Sequence, residues 1–383
     1  MKFAIFSLIV SITASICQAG DALGWLKQEA MRQLSGCRVP SESGVILHTP
    51  DGIGHYKALW TRDFYYMIKY APDLMDNEEL KASIAFLLEG QREDGCIPDR
   101  VNAQEKAIYS PGGENNPLAD HALDNAPFLA LALCEYVKIT GDLDFFRKVE
   151  PAVKRGLDHI RRAENGLVYN PPESPECVYG FTDIVTKTGN LLFSSALYYL
   201  ACNEMATTCR EADHGKHADY EKRALRIKKN IGVLWNEDAG MFFAADVDCR
   251  QLDIWGSAYV VDVGLATNEQ ANRVSKFLVE NSDSIFQHGQ VRHLPGKETW
   301  DRLFVDFHPE GSYQNGAFWA TPLPWIVPVV ARNSPTLARK LVDDCIRDFK
   351  TNGVAECING EDRKVPNFVV SITNLYAAYS NLE

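Results

Sequence analysis

The chain has 383 residues, and its 39 lysines and arginines stand against 51 aspartates and glutamates, which gives a formal net charge of −12. No block of basic residues interrupts this acidic composition. These features exclude nucleic acid and anionic membrane surfaces as expected partners. The length is enough for two domains, or for one large toroidal or barrel domain with a sizeable core.

The first nineteen residues have the pattern of an export signal. A lysine and the apolar run Phe3 to Ile16 precede Cys17-Gln18-Ala19, where a small residue stands at the expected cleavage position. The run is too short for a lasting membrane span. We therefore predict a signal peptide over residues 1–19, an exported protein in the periplasm or outside the cell, and a single catalytic domain over residues 20–383. Lipid attachment through Cys17 is the less favoured alternative, because lipoprotein signals prefer a small residue directly before the cysteine.

Nine cysteines remain after Cys17, and an odd count leaves at least one thiol unpaired within the chain. Export permits disulfides, but their connectivity does not follow from the sequence. No pair of cysteines has zinc-finger spacing, and the nine histidines form no H-E-x-x-H or similar cluster. We therefore expect no metal and no cofactor.

Hydrophobic periodicity indicates a chain dominated by helices. Several predicted helices have clear end signals: Asp76-Asn77-Glu78-Glu79 places acids in a first turn, Gly141-Asp142 ends one helix and caps the next, and Ser334-Pro335 opens another. The twelve predicted helices are Ala22–Leu34, Arg62–Tyr70, Asn77–Gln91, Ala122–Thr140, Leu143–Ala163, Thr188–Thr207, Ala218–Trp235, Trp255–Leu265, Asn268–Asn281, Asn315–Val330, Ser334–Lys350 and Asn367–Asn381.

Short turns such as Thr140-Gly141-Asp142 join neighbouring helices into hairpins. Twelve helices joined in this way suggest an all-α fold, an (α/α)6 toroid of six antiparallel hairpins closed into a ring. A helical solenoid is the alternative, but no residue signature repeats every 34 or 40 residues or so. The longer connections lead into every second helix, so in a ring they meet at one rim and form an active-site mouth. These six connections are Trp60–Asp63, Asp99–Asn125, Tyr169–Asn190, Asp253–Gly256, Trp300–Trp319 and Glu356–Asn367.

The first connection contains Trp60-Thr61-Arg62-Asp63. Such a cluster suits a sugar, because an indole covers the C–H face of the ring while a guanidinium and a carboxylate hydrogen-bond neighbouring hydroxyls. The alternative is a buried Arg–Asp pair that fixes the start of a helix. We expect Trp60, Arg62 and Asp63 to bind substrate.

Two further aspartates stand in the second and third connections. Asp124 either caps the following helix or binds substrate hydroxyls. Asp183 lies in the run Tyr179-Gly180-Phe181-Thr182-Asp183-Ile184-Val185, an apolar and aromatic environment that raises the pKa of a carboxyl as a general acid requires. The alternative is that Asp183 is a turn residue or caps a helix. We expect Asp124 to bind substrate and Asp183 to be a catalytic carboxyl.

The last three connections add aromatic and polar groups. The fourth contains Trp255, and the fifth reads Tyr313-Gln314-Asn315-Gly316-Ala317-Phe318-Trp319, with a glycine that permits close approach of a ligand or serves ordinary packing. In the sixth, Glu356 alternates with apolar neighbours, so it faces the mouth if the chain is extended there and is otherwise a solvated loop residue. We expect substrate binding by Trp255, Tyr313, Asn315 and Trp319, and catalysis by Glu356.

Two carboxyls on opposite sides of one mouth, with aromatic and Arg–Asp groups for a sugar, match the needs of glycoside hydrolysis. One carboxyl protonates the leaving oxygen, and the other activates water or attacks the anomeric carbon.

The same residues resemble motifs of the six-hairpin glycosidases, the group of glucoamylases, trehalases, and the processing and mannosylglycerate glucosidase relatives. Trp60-Thr61-Arg62-Asp63 is similar to their W-x-R-D segment, whose Arg and Asp hold hydroxyls of the terminal sugar. Gly180-Phe181-Thr182-Asp183 is similar to the G-W-D-F segment that carries the general acid, although Phe181-Thr182 replaces the Trp. Tyr313 to Trp319 resembles their aromatic-Asn-Gly segment. Glu356 falls where trehalases carry the general base, but the segment around it lacks their E-x-Y-D motif.

This resemblance implies an inverting enzyme with catalytic carboxyls roughly 6.5 to 9.5 Å apart. It predicts an exported, exo-acting glycoside hydrolase that cleaves an α-glycosidic bond with Asp183 as acid and Glu356 as base. The chain is short for the group, which favours a small oligosaccharide or glycoside as substrate. The alternatives are a toroidal uronyl hydrolase, a sugar epimerase that would use His121 and His308 as bases, and a non-catalytic carbohydrate-binding protein.

Overall fold

The structure is a computed structural model that describes residues 22–305 and 308–382. The predicted signal peptide, with Cys17, lies outside the described residues. Helices predominate and the strands are short, so the prediction of a mainly helical chain is confirmed. Among the residues described, no helix combines the length and the apolar character needed to cross a bilayer.

Thirteen helices occur in the part of the chain that the structure describes. They are α1 (residues 22–36), α2 (Thr61–Tyr70), α3 (Asn77–Glu89), α4 (Asn125–Thr140), α5 (Leu143–His159), α6 (Leu192–Glu211), α7 (His217–Asn230), α8 (Ile254–Asp262), α9 (Asn268–Glu280), α10 (Ser282–Ile285), α11 (Leu323–Ala331), α12 (Pro335–Asn352) and α13 (Val369–Ser380). Short 3-10 helices lie at Pro72–Leu74, Gly180–Thr182 and Ile231–Leu234.

Six of the helices contact one another in a closed cycle, in the order α2, α4, α6, α8, α11, α13 and back to α2. Helices α3, α5, α7, α9 and α12 pack against members of this cycle. The distribution of apolar residues explains why some helices form the cycle and others pack against its outside. Inner helices such as α4 and α11 are buried nearly all round, whereas α5 and α7 are amphipathic and bury one face.

Aromatic side chains fill the centre of the cycle. Tyr66 of α2 stacks on Trp325 of α11 with ring centres 5.9 Å apart, and Phe193 of α6 stacks on Tyr259 of α8 at 4.6 Å. Phe181, in the connection before α6, packs against this core 6.1 Å from Tyr66 and also lines a cavity. The packed core is therefore the floor beneath that cavity.

The strands of the described residues form seven small antiparallel sheets. One has three strands in the order β3-β4-β5, and the others are pairs of consecutive strands. The strands are β1 (Arg38–Pro40), β2 (Ile46–His48), β3 (Ala58–Trp60), β4 (Arg100–Asn102), β5 (Ala107–Ile108), β6 (Gly112–Gly113), β7 (Asn116–Pro117), β8 (Tyr169–Asn170), β9 (Gly189–Asn190), β10 (Trp235–Asn236), β11 (Met241–Phe242), β12 (Phe286–Gln287), β13 (Gln290–Val291), β14 (Ala355–Asn359) and β15 (Asp362–Pro366).

All twelve predicted helices are present, and the largest boundary error falls at the start of α11. This helix begins at Leu323 rather than Asn315. The residues before it are drawn into extended bridges, Phe318 with Ile358 and Trp319 with Val291, and Gly316 has a φ of 121° that no helix accommodates. Helix α10 and the β14–β15 hairpin were not among the predicted elements.

Candidate active site

Three adjoining cavities lie where the connections before α2, α6 and α13 meet. The innermost has a volume of about 40 Å³ and is lined by both Asp183 and Glu356. Two wider recesses adjoin it, one of about 700 Å³ that shares Glu356 and one of about 450 Å³ that shares Asp183. Tyr56 and Tyr313 line all three, so these two side chains lie where the inner cavity adjoins the recesses.

One part of the lining of the inner cavity is formed by Arg62, Asp63 and Asp183, and together with Asp99, which is buried behind Arg62, these residues are here called the arginine wall. Arg62 is buried in the first turn of α2, and its Nη1 donates to Asp99 Oδ1 at 2.7 Å. Its Nη2 donates to Asp183 Oδ2 at 3.4 Å, and its Nε lies 3.9 Å from Asp63 Oδ2. The structure therefore brings the predicted Arg–Asp cluster and the predicted catalytic aspartate together around one guanidinium.

Trp60 extends this wall towards the smaller recess. The β3–β4 register places it opposite Arg100, whose guanidinium lies 4.4 Å from the centre of the Trp60 ring. The Arg62 guanidinium lies 5.1 Å from the same ring, and Arg100 Nη1 also donates to Asp99 Oδ2 at 2.7 Å. Cations over an indole are stabilised by its negative ring face, so Trp60 is fixed in position beside the cavity.

The connection that carries Asp183 is held by hydrogen bonds to its backbone. The Gly180 N–H donates to Asp124 Oδ2 at 2.7 Å, which makes Asp124 a support for this loop. The side chain of Gln314 bridges the same loop, donating from Nε2 to the Gly180 carbonyl at 3.0 Å and accepting from the Ile184 N–H at 3.1 Å. Gly180 is required here, because a Cβ at this position would lie 1.8 Å from Arg62 Nε.

A second part of the lining, here called the tyrosine wall, consists of Tyr56, Tyr313 and Glu356. Glu356 lies on strand β14, so the extended chain expected around it is confirmed, and its side chain reaches the cavity. The Tyr56 hydroxyl donates to Glu356 Oε1 at 2.7 Å. Asp51 holds the Tyr56 segment by accepting three backbone N–H bonds, including that of Tyr56 at 2.7 Å. Tyr313 has a φ of 45°, which a non-glycine residue rarely adopts.

Burial raises the pKa of the three carboxyls that line the inner cavity, Asp63, Asp183 and Glu356. The pKa of Asp183 rises to about 7, with the neighbouring Arg62 charge acting against the rise. The pKa of Glu356 rises to about 8, opposed by the Tyr56 hydrogen bond and reinforced by the charge of Asp63. Burial also raises the pKa of Asp63 to about 7 and that of Asp124 to about 6. Between pH 7 and pH 8, Asp183 and Glu356 therefore hold about one proton between them, mainly on Glu356.

Three of the predicted binding residues pack behind the cavity lining. Trp255 is buried and stacks on His293 with ring centres 3.8 Å apart, and Trp319 is buried 5.6 Å from Phe181. Asn315 uses its amide within its own connection, accepting from the Trp300 N–H and donating to the His308 carbonyl, both at 3.0 Å. The predicted residues that line the inner cavity are Trp60, Arg62, Asp63, Asp183, Tyr313 and Glu356.

Sequence reasoning missed four residues that shape the site: Tyr56, Asp99, Arg100 and Gln314. Asp99 and Arg100 open the second long connection, and a charged pair there is a signal that could have been used. No sequence signal links Tyr56 to Glu356, because the two are 300 residues apart.

Possible metal ligands gather at a different place. Among the described residues, Cys96, His121 and His159 form one group that could hold a metal ion, and Asp120, His121 and Glu176 form another. Neither group lines the three cavities. The nine cysteines of the described chain are all buried and free.

No protein-family model and no curated protein matches the chain. Solved structures match it in fold. A GH63 mannosylglycerate hydrolase from Thermus thermophilus in complex with glucose has a TM-score of 0.65 at 15% identity, over 93% of this chain and 100% of that one. An uncharacterized conserved protein from the same organism has a TM-score of 0.66 at 14% identity, with the same coverage. A rhamnosidase from Klebsiella oxytoca with rhamnose bound has a TM-score of 0.63 at 14% identity, over 93% of this chain and 63% of that one. The chain therefore shares its fold with helical glycoside hydrolases.

Proposed function

We propose that this chain is a glycoside hydrolase that releases a terminal sugar from a small oligosaccharide or glycoside. The observation that carries the proposal is a single cavity lined by two carboxyls of raised pKa, Asp183 and Glu356, which together hold about one proton between pH 7 and pH 8. Glycoside hydrolysis needs this state, with one carboxyl protonated and one ionised. The fold shared with glycoside hydrolases supports the same chemistry.

In this proposal Asp183 protonates the leaving oxygen and Glu356 activates water, so the reaction inverts the anomeric centre. The assignment rests on the motif resemblance of the two segments. It is the reverse of the pKa order, in which Glu356 at about 8 takes up the shared proton before Asp183 at about 7, so the active form in this proposal is the minor singly protonated one. Arg62 and Asp63 hold hydroxyls of the terminal sugar, and Trp60 covers one face of its ring, since all three line the inner cavity. The ring of six helical hairpins is part of the same proposal and is supported by the closed cycle of helix contacts.

The shape of the cavities favours exo-action on a small substrate, and the α-linkage in this proposal rests on the motif resemblance. The inner cavity ends on Phe181 and the packed aromatic core, so a chain cannot pass through it. Its 40 Å³ holds about three water molecules, which is less than a hexose needs. Tyr56 and Tyr313 must therefore move when a sugar enters, and the wider recesses then receive the leaving group.

The position of His121 weighs against an epimerase. His121 was one of two histidines proposed as its bases, and it lies in the Cys96 and His159 group away from the cavities. Export remains a proposal that rests on the apolar run Phe3 to Ile16.

The test is sugar release from a panel of α- and β-linked glycosides by the parent, Asp183→Asn, Glu356→Gln and Asp63→Asn. We expect one sugar to be released, and each of the first two variants to lose at least about a hundredfold in kcat. Asp238→Asn is the matched control, because this aspartate is exposed, and it should keep the parent rate. A parent that releases no sugar, or a Glu356→Gln variant with full rate, contradicts the proposal.

Two further measurements separate the roles. A glycosyl fluoride needs little acid catalysis, so it should restore much of the rate of Asp183→Asn and none of that of Glu356→Gln. Proton NMR of the first-formed anomer then decides between inversion and retention.

A further inference from the structure

A cysteine and two histidines converge on the outside of the helix cycle. Cys96 follows α3, His121 precedes α4, and His159 is the last residue of α5. One possible ligand atom from each lies within 4.8 Å of the others. Cys96 is buried, and the side chains of His121 and His159 are only 13% and 17% exposed. Three soft or borderline donors from three segments are therefore enclosed together.

A carboxylate holds the His121 ring, and another lies near the His159 ring. His121 Nδ1 lies 3.1 Å from Asp120 Oδ2 and 3.5 Å from Glu176 Oε2, and His159 Nδ1 lies 3.9 Å from Asp94 Oδ2. His159 Nε2 is buried and has no hydrogen-bond partner. Histidines that bind metals through one nitrogen are commonly held by a carboxylate at the other. The unpartnered Nε2 is the nitrogen such a histidine would present.

We propose that this cluster binds one zinc ion through Cys96 Sγ and the Nε2 atoms of His121 and His159, with water in the fourth position. A tetrahedral zinc site with Zn–S near 2.3 Å and Zn–N near 2.0 to 2.1 Å places its donors about 3.5 Å apart. The three side chains need to close in by roughly an ångström to reach this geometry. Thiolate and imidazole donors together favour zinc over magnesium or calcium, and binding releases the thiol proton of Cys96.

The charge around the cluster suits a divalent cation. Asp94, Asp120 and Glu176 surround the histidines, and the one arginine that pairs with them in the described residues is Arg92, which contacts Asp94 and Asp120. With the Cys96 thiolate, four negative charges then face one positive charge. A bound Zn²⁺ would reduce the net charge of this cluster from −3 to −1.

The proposed ion would join segments that carry the arginine wall. Asp99, which binds Arg62, follows Cys96 by three residues, and Asp124, which holds the Gly180 N–H, follows His121 by three. The zinc would thus link these segments from outside the three cavities and take no part in the proposed hydrolysis. Binding of the metal is independent of whether the proposed hydrolysis occurs.

The test is titration of the reduced, metal-free full chain with Co²⁺ and then with Zn²⁺. We expect one Co²⁺ per chain, a thiolate-to-cobalt charge-transfer band, and loss of that band when one equivalent of zinc is added. Cys96→Ser should remove the band. His159→Gln should bind zinc at least tenfold more weakly, by analogy with the roughly 10- to 100-fold effect of losing an outer partner. Circular dichroism checks that each variant is folded.

Matched controls are Cys249→Ser, a buried free cysteine outside the cluster, and His217→Gln at the start of α7. Both should bind Co²⁺ with the parent spectrum and affinity. Substoichiometric binding by the parent, a band that survives in Cys96→Ser, or an equal loss in Cys249→Ser overturns the proposal. Because all these readouts are metal content and spectra, their failure is distinguishable from a lack of glycosidase activity.

Discussion

The two walls of the inner cavity bury their carboxyls equally but partner them differently. Asp183 stands 3.4 Å from a guanidinium, whereas Glu356 accepts a hydrogen bond from a neutral hydroxyl at 2.7 Å. Burial raises the pKa of both, to about 7 for Asp183 and about 8 for Glu356. The two pKa values rise by a similar amount from their ordinary 3.8 and 4.5, so neither kind of partner cancels the effect of desolvation. The charged partner makes the arginine wall a network in which each charge depends on the others.

The largest effect should follow from removal of the guanidinium in Arg62→Met. Asp63, Asp99 and Asp183 would lose the cation they surround, and breaking a buried ion pair costs about 3–5 kcal/mol. We expect the free energy of unfolding, measured by urea denaturation at pH 7, to fall by at least that amount or the protein to be insoluble. Arg62→Lys keeps the charge and should lose less.

Arg347→Met is the control for this comparison. Arg347 pairs with Asp344 on the exposed face of α12, and exposed pairs of this kind contribute less than about 1 kcal/mol. Equal stability losses in Arg62→Met and Arg347→Met would show that the arginine wall is not the buried network described above.

An effect of similar size and opposite sign is expected on the tyrosine wall, where Glu356→Gln should stabilise the protein at alkaline pH. The ordinary pKa of 4.5 rises to about 8 in the folded protein, so the folded chain holds a proton that the unfolded chain has released between these values. Stability therefore falls as pH rises through this window, by up to about 5 kcal/mol. The variant lacks this dependence and should exceed the parent in unfolding free energy at pH 8.

Urea unfolding at pH 4.5 and pH 8 measures the effect, since parent and variant should converge at the lower value. Glu361→Gln, at an exposed position in the β14–β15 turn, should follow the parent at both. A Glu356→Gln variant that is less stable than the parent at pH 8 would mean that Glu356 is ionised and well solvated there.

The helices could be predicted because their signal is local. Periodicity and end residues such as Gly141-Asp142 determine a helix within its own segment. The start of α11 was missed because long-range bridges from Phe318 and Trp319 hold the preceding residues extended. Tertiary pairing of this kind leaves no mark within the segment itself.

The candidate site also contains residues that the local sequence predicts and others that it does not. Asp183 and Glu356 were predicted as site residues because each carboxyl stands among apolar neighbours; both line the inner cavity, and their catalytic roles stay predictions. Trp255 and Trp319 show the limit, since an aromatic pattern indicates burial without saying on which side of a cavity wall the ring lies. Cys96, His121 and His159 were not connected, because their separations in sequence match no metal-binding motif and only the fold brings them together.

The smallest change is Tyr56→Phe, which removes only the hydroxyl that donates to Glu356 Oε1. That bond holds the pKa of Glu356 down, so its loss should raise the pKa by about one unit, since hydrogen bonds to charged groups contribute about 1.5–3 kcal/mol. In the parent, kcat/KM should follow a bell with limbs near pH 7 and pH 8, because it reports the free enzyme. In the variant, the alkaline limb of this profile should move to higher pH.

The maximum value of kcat/KM in that pH profile then tests which carboxyl is the base. If Glu356 must be ionised while Asp183 is protonated, raising the pKa of Glu356 by one unit makes this state about tenfold rarer and lowers the peak by the same factor. If the roles are exchanged, the peak keeps its height. Tyr376→Phe, a hydroxyl outside the cavities on α13, should leave both limbs and the peak unchanged. An unaltered bell in Tyr56→Phe would show that the two walls are not distinguished by this hydroxyl, and that the partner of Glu356 in solution is another group.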